Sequence, residues 1–209
     1  MFNETLLPDT LRAIQLVAKV PLIQKAYLAG GTALALQIGH RISVDLDFFT
    51  PEIFDENLLD TQLQGVSGFA PDRKGWRTVV GKIGQTKFSF FYYKDTLIDE
   101  TISYEGINLA SKKDIAAMKI NALESRGSQR DFIDVFFLTK FYKLEEMLDF
   151  YDRKYKMLDT RLYSILRGLD YFEDAENLSE APNMIQKVEW KEVKKFFRSE
   201  ALRLRQALL

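Results

Sequence analysis

The feature that most limits what this chain can fold into is the run of residues 27–50, where two glycines separate an apolar segment from a helix-favouring one. Residues 26–29 are apolar and residues 32–37 favour a helix, so the pattern predicts a strand, a tight turn at Gly30 and Gly31, and a helix. Glycine lets phosphate oxygens approach the backbone closely, and a helix N-terminus carries partial positive charge. The run therefore predicts a turn that can bind phosphate.

Two carboxylates follow this turn. Gly39 should end the helix, and residues 42–49 alternate in a way that predicts a second strand with Asp45 and Asp47 on one face, about 7 Å apart at Cα. Without a cation, two carboxylates about 4 Å apart would repel by roughly 1 to 4 kcal/mol. A magnesium site beside a phosphate-binding turn indicates phosphoryl or nucleotidyl transfer, whereas a solvated strand edge is the alternative.

Two blocks of this run carry a resemblance to a known family. Gly30-Gly31-Thr32 and the later block His40-Arg41-x-Ser43-x-Asp45-Leu46-Asp47-Phe48-Phe49 resemble the AbiEii/AbiGii toxin family of nucleotidyltransferases, which is related to the MenT toxins of mycobacteria. The resemblance covers about residues 20–142. It implies that the glycine motif and the aspartates bind a nucleoside triphosphate (NTP) and Mg²⁺. It also implies a toxin of a bacterial toxin–antitoxin or phage-defence system.

Composition narrows the remaining classes of site. The chain has no cysteine and one histidine, which excludes disulfides, thiolate zinc sites and cysteine nucleophiles. A formal net charge of −1 argues against a uniformly basic nucleic-acid binder. No run of about 18 uncharged apolar residues is present, so we expect no membrane association and a soluble, cytoplasmic protein.

The sequence predicts helices from residue 111 onward, and two charged residues there lie among apolar residues that are expected to be buried. Lys119 lies in an apolar stripe and Asp134 in the apolar run of residues 132–138. Lys119 could reach the triphosphate, or it could snorkel or form a structural ion pair. Asp134 must face a cation, either Lys119, Arg130 or metal, because an unpaired buried carboxylate would cost several kcal/mol.

Other polar residues leave two readings open. Asp131 could contact nucleotide or only close a capping box with Ser128, and Thr32 could contact phosphate, cap its helix or do both. Arg41, Arg126 and Arg130 could hold phosphates or only pair with acidic neighbours. His40 reads as a structural residue rather than a general base, and the basic excess of residues 181–209 as a solvated helix face rather than an RNA contact.

We predict an α+β protein with a small mixed β-sheet of nucleotidyltransferase type, flanked by helices and followed by a helical C-terminal region. Residues 1–110 should form the core, and residues 111–209 should complete the active-site cleft. The hairpin of residues 78–83 and 87–93 should extend the sheet. The predicted catalytic residues are Asp45, Asp47, Lys119 and Asp134, with Asp45 and Asp47 as metal ligands, and the predicted nucleotide-binding residues are Gly30, Gly31, Thr32, Arg41, Ser43, Arg126, Arg130 and Asp131.

The expected activity is magnesium-dependent transfer of a nucleoside monophosphate from an NTP to an acceptor hydroxyl. The family likeness implies RNA, such as a tRNA 3′ end, or protein as acceptor, and a separate antitoxin as partner. Nucleotidyltransferases of this fold often place a third carboxylate on the strand after the aspartate pair, where it can take the acceptor's proton. Residues 87–93 carry no carboxylate, so Asp134 or metal-bound hydroxide would serve as base. An inactive nucleotide- or partner-binding module is the main alternative, and a sugar-nucleotide glycosyltransferase is the other.

Overall fold

The structure is a computed structural model that describes residues 1–177 and 181–208. It divides into two compact units, Met1–Ser111 and Lys112–Leu209. The first unit holds a 3₁₀ helix at Asn3–Thr5 and the elements α1 (Pro8–Val17), α2 (Pro21–Gln24), β1 (Tyr27–Leu28), α3 (Gly30–Ile38), β2 (Leu46–Thr50), α4 (Glu56–Gln64), β3 (Phe69–Gly75), β4 (Thr78–Ile83), β5 (Thr86–Tyr92), β6 (Ile102–Tyr104) and β7 (Ile107–Leu109).

The first unit is built on one seven-stranded mixed sheet in the order β3-β4-β5-β2-β1-β7-β6. Strand β2 runs parallel to β5 and antiparallel to β1, which is itself parallel to β7. One face of β2 and β5 is buried through Leu46, Phe48, Phe88 and Phe90, while the alternate residues lie on a more open face. The predicted mixed sheet with flanking helices is confirmed.

Strand β2 begins later than the predicted strand of residues 42–49. The backbone before it is held by other groups: the amide of Ser43 donates to the carbonyl of Thr5 at 3.0 Å, and the carbonyl of Asp45 accepts from the Thr32 hydroxyl at 2.6 Å. Because these groups are already satisfied, pairing in the sheet starts at Leu46. Asp45 therefore lies just before the strand and Asp47 within it.

Other boundaries also differ from the sequence predictions. The apolar pattern of residues 51–64 predicts a helix over that range. Helix α4 starts only at Glu56, because the Asp55 side chain accepts from the amides of Asn57 and Leu58 and caps the helix there. Acidic and polar residues crowd residues 173–182 and predict an exposed loop, but this range begins with helix α9, Glu173–Asn177, and residues 178–180 lie outside the described residues. Strands β3, β6 and β7 were not predicted individually.

The second unit is helical among its described residues, as predicted. Ser128 caps α6 by accepting from the Asp131 amide, which confirms the predicted start of that helix. Within the described part of the chain, no helix is long and apolar enough to cross a membrane. The helices are α5 (Lys112–Ser125), α6 (Gln129–Leu138), α7 (Leu144–Tyr155), α8 (Leu158–Gly168), α9 (Glu173–Asn177) and α10 (Trp190–Leu208).

Candidate active site

The glycine turn lies directly beside Asp47. Helix α3 begins at Gly30, two residues after β1 ends, and the amide of Ala29 donates to the carbonyl of Asp47 at 3.0 Å. Gly30 has a φ of +68°, which favours glycine, and a Cβ built onto it would lie 3.4 Å from Oδ2 of Asp47. The predicted strand and helix are confirmed, with both glycines in the first turn of the helix, and Gly30 places its half-buried backbone next to the Asp47 carboxylate.

The second glycine is required by a close approach of a cation. A Cβ on Gly31 would collide with Nη2 of Arg41 and would lie 3.1 Å from Oγ of Ser43. Arg41 is buried, and its Nη1 donates to the carbonyl of Ile42 at 3.1 Å. A guanidinium therefore rests against the first turn of α3, where it adds positive charge to the helix N-terminus.

Thr32 connects helix α3 to the chain that carries the aspartates. Its hydroxyl donates to the carbonyl of Asp45 at 2.6 Å and lies 2.9 Å from the hydroxyl of Ser43. Because the helix starts at Gly30, with Ala29 as its N-cap residue, the reading of Thr32 as N-cap is wrong. Thr32 is buried and holds the backbone at Asp45 in place.

The N-terminal segment braces the loop between α3 and β2. The ring of Phe2 packs on Gly39, where a Cβ would lie 2.6 Å from Cδ1 of the ring. His40, which follows, is 0% exposed. This burial supports the reading of His40 as a structural residue, because a general base must reach its substrate.

The carboxylates suit a magnesium ion that brings other ligands with it. Asp45 and Asp47 are both half-buried, and the carboxylate of Asp47 faces the side-chain-free edge of Gly30. Among residues 1–177 and 181–208, no cluster of three or more acidic or histidine side chains has the geometry of a metal site. Mg²⁺ commonly uses one or two protein carboxylates and completes its shell with water and substrate phosphates, so this donor set fits it.

A serine on the strand beside β2 occupies the position at which a third carboxylate was expected. Strand β5 pairs in parallel with β2, and Ser89 stands opposite Asp47 in the register. Residues opposite one another share a face of the sheet. A hydroxyl thus occupies the position next to Asp47 where a further acid would stand.

Lys119 and its partners form a buried network within the second unit. The Lys119 ammonium lies 2.8 Å from Oδ1 of Asp131 and 2.6 Å from Oδ2 of Asp134. The Arg126 side chain donates to both carboxylate oxygens of Asp131, at 2.8 and 2.9 Å, and the Ser128 hydroxyl donates at 2.6 Å. The expectation that Asp134 faces a cation is confirmed by its contact with Lys119.

These contacts govern the ionisation of Asp131. Burial alone would raise its pKa, but the charges of Lys119 and Arg126 outweigh burial and hold the pKa of Asp131 well below its usual range. The network explains Lys119 and Asp131 by structural ion pairing. It remains a prediction that Lys119, Asp131 and Arg126 contact nucleotide. The role of Asp134 as base and the nucleotide contact of the exposed Arg130 are also still predictions.

A second buried ion pair was not predicted from the sequence. The Asp114 carboxylate accepts from Lys154 at 2.9 Å, and both side chains are 0% exposed. The available signal was the same as for Lys119, a lysine among apolar residues of a helix, here Phe150 and Tyr151.

Three of the six basic residues of helix α10 form ion pairs. Lys194 pairs with Glu176 at 2.5 Å, and Arg203 pairs with Glu145 at 2.5 Å and Glu200 at 2.6 Å. Arg205 is a further member of this set, with Asp170 at 3.5 Å. This pairing supports the reading of the helix as a solvated face.

Sequence comparison relates this chain to a known family. Residues 14–109 match the family model described as nucleotidyl transferase AbiEii toxin, type IV toxin–antitoxin system. This range contains the glycine turn and both aspartates. An uncharacterised protein of Aquifex aeolicus (strain VF5) is 36% identical over 194 residues, which covers 89% of this chain and 91% of that protein.

Solved structures share the fold. JHP933 from Helicobacter pylori superposes with a TM-score of 0.54 at 22% identity, covering 95% of this chain and 90% of that one. MenT4, a nucleotidyltransferase toxin from Mycobacterium tuberculosis H37Rv, superposes with a TM-score of 0.57 at 16% identity, covering 93% of this chain and 81% of that one. The chain is a nucleotidyltransferase and belongs to the AbiEii toxin family.

Proposed function

We propose that this protein uses Mg²⁺ to transfer a nucleoside monophosphate from an NTP to the hydroxyl of an acceptor. The observation that carries the proposal is the carboxylate of Asp47 beside the Cβ-free edge of Gly30. A phosphate-binding backbone and a metal-binding carboxylate need this proximity, because the ion must contact the phosphates that the turn holds.

Six residues of the first unit have a role in this proposal. The amides at Gly30 and Gly31 hold the triphosphate, and the guanidinium of Arg41 adds positive charge beside them. Asp45 and Asp47 would hold Mg²⁺, which when bound neutralises charge that develops on the phosphates. Thr32 positions Asp45 through its backbone carbonyl.

The reaction is an in-line displacement. The acceptor oxygen attacks the α-phosphorus, the bond from that phosphorus to the bridging oxygen of the β-phosphate breaks, and pyrophosphate leaves. The hydroxyl proton passes to solvent or to a base. Asp134 can serve as that base only if its carboxylate exchanges the ammonium of Lys119 for the acceptor.

The biological setting follows from the family. We propose that the protein acts as a toxin on RNA, such as a tRNA 3′ end, or on protein, and that a separately encoded antitoxin restrains it. A small regulator-like reading frame immediately upstream of the gene would support this setting.

The test is label transfer from α-phosphate-labelled NTPs to total tRNA or protein in the presence of Mg²⁺. Asp47→Asn should abolish transfer and leave thermal stability close to that of the wild type. Asp72→Asn, an exposed aspartate on β3, is the matched control and should keep full activity. Activity retained by Asp47→Asn would overturn the site.

Ser89 favours one second candidate, a module that binds nucleotide without turnover, because no acid stands opposite Asp47 on β5. This candidate predicts that an NTP raises the melting temperature while no label reaches any acceptor. Label transfer would remove it.

A further inference from the structure

The open face of the sheet carries three exposed cations on the strands beyond β2. Lys82 on β4 stands directly opposite Lys87 on β5, and Arg73 on β3 stands opposite Val80. Alternation along the strands places these side chains on the same face as Ser89 and Asp47, since Val80 is opposite Ser89 and Ser89 is opposite Asp47. The face therefore runs from a carboxylate to a group of cations.

This arrangement of charges is unfavourable for the protein alone. Like charges directly opposite each other in a sheet destabilise it. Among the residues that the structure describes, Lys82, Lys87 and Arg73 form no hydrogen bond or ion pair through their side chains. The neighbouring Lys74 points to the other face and pairs with Asp60 at 3.3 Å. The cations of the open face thus lack the compensation that this nearby lysine has.

The cations lie on the opposite side of Asp47 from the glycine turn. Gly30 follows β1, which pairs with one edge of β2, and β5 pairs with the other edge. Lys87 lies two residues before Ser89, about 7 Å along the strand. A ligand that reaches Asp47 across β4 and β5 must pass over these cations.

In an in-line displacement the acceptor hydroxyl approaches from the side opposite the leaving group. If the glycine turn holds the departing pyrophosphate, as in the proposed function on which this inference rests, the attacking hydroxyl must approach from the β5 side. We propose that Lys82, Lys87 and Arg73 form a phosphate-binding site for the backbone of a single-stranded polynucleotide acceptor. A polynucleotide supplies repeated phosphates that can occupy these cations, whereas a neutral stretch of protein does not.

Aromatic rings on the same face support this partner. Phe49 stands opposite Phe91 in the β2–β5 register, two residues beyond Asp47 and Ser89, and their ring centroids are 5.6 Å apart. Both rings are half-buried, so each keeps some exposed surface. Aromatic rings beside a basic surface are the combination that binds single strands, by stacking bases and contacting phosphates.

The test measures binding of a fluorescein-labelled single-stranded oligoribonucleotide by anisotropy, without NTP or Mg²⁺, across a salt series. The triple variant Lys82→Ala, Lys87→Ala and Arg73→Ala should lower the slope of log affinity against log salt by about 2, since each cation contributes about 0.7. Near 0.1 M salt, each lost cation corresponds to roughly a fivefold loss of affinity. Lys74→Ala, a cation on the same strand but the other face, should change neither quantity.

Stabilisation by NTP and Mg²⁺ separates the acceptor site from the triphosphate site. The proposal expects the triple variant to keep the wild-type rise in melting temperature. RNA affinity and salt slope equal to those of the wild type would overturn it and favour a protein acceptor. Loss of NTP stabilisation with RNA binding retained would also overturn it, because the cations would then serve the triphosphate. RNA binding is measured without turnover, so its result can be interpreted even if the proposed transfer reaction does not occur.

Discussion

Replacement of Gly31 by alanine tests whether the buried guanidinium of Arg41 rests on the glycine turn. The added Cβ would collide with Nη2 of Arg41 and would lie 3.2 Å from its Cζ, and Arg41 is only 3% exposed, so its tip cannot move into solvent. Overpacking of this kind costs about 1 to 3 kcal/mol. Gly31 has no positive φ, so alanine adds no backbone strain and returns up to about 1 kcal/mol of helix propensity.

The net expectation for Gly31→Ala is a loss of about 1 to 2 kcal/mol in the free energy of unfolding, measured by urea denaturation followed by circular dichroism. The informative measurement is a double-mutant cycle with Arg41→Ala. Once the guanidinium is removed, only the contact at 3.1 Å with Oγ of Ser43 remains, so alanine at position 31 should cost clearly less than it does beside Arg41.

Gly30→Ala is the matched control. Its cost comes from the backbone, since a residue with a side chain at a φ of +68° is strained by about 1 to 2 kcal/mol, while its Cβ would make only ordinary contact at 3.4 Å with Asp47. That cost should be the same with and without Arg41. If the cost of Gly31→Ala is also independent of Arg41, the proposed packing of the turn is wrong.

Two further predictions concern acids. Asp131→Asn should lower the free energy of unfolding by roughly 3 kcal/mol at neutral pH, because Lys119 and Arg126 lose a buried carboxylate. The pKa of Asp131 is lowered in the folded state, so this stabilisation is complete above about pH 4 and is lost as pH falls further. Urea midpoints of the wild type and the variant should therefore converge in acid, and a constant gap would contradict the ion pairing. Ser89→Asp should tighten Mn²⁺ binding without nucleotide, measured by electron paramagnetic resonance of the free ion, because a carboxylate would stand opposite Asp47; unchanged affinity would place the metal elsewhere.

Local patterns predicted much of the first unit. The apolar run before Gly30 and the helix formers after Gly31 specify strand, turn and helix within a few residues of one another, so no distant contact is needed to choose them. The hairpin of β4 and β5 follows from alternation around the turn at Gly84 in the same way. The start of α6 at Ser128 follows from a cap that lies next to its own helix.

Long-range contacts decided the positions of the aspartates. Alternation alone extended the strand back to residue 42, but Thr5 and Thr32 bind the backbone of residues 43 and 45 from other parts of the chain. Neither contact leaves a periodic signal in residues 42–49. The sequence therefore identified both carboxylates, and only the tertiary structure placed one before the strand and the other within it.

By itself the sequence determined the chemical types at the site and the order of its elements, because glycine conformation, helix propensity and strand alternation act between neighbours in the chain. The tertiary structure decided which charges meet. Lys119 and Lys154 looked alike as lysines among apolar residues, and only the folded chain shows that the first joins Asp131 and Asp134 while the second joins Asp114. Burial makes such pairing necessary, but the choice of partner depends on how helices pack, which residues close in sequence do not specify.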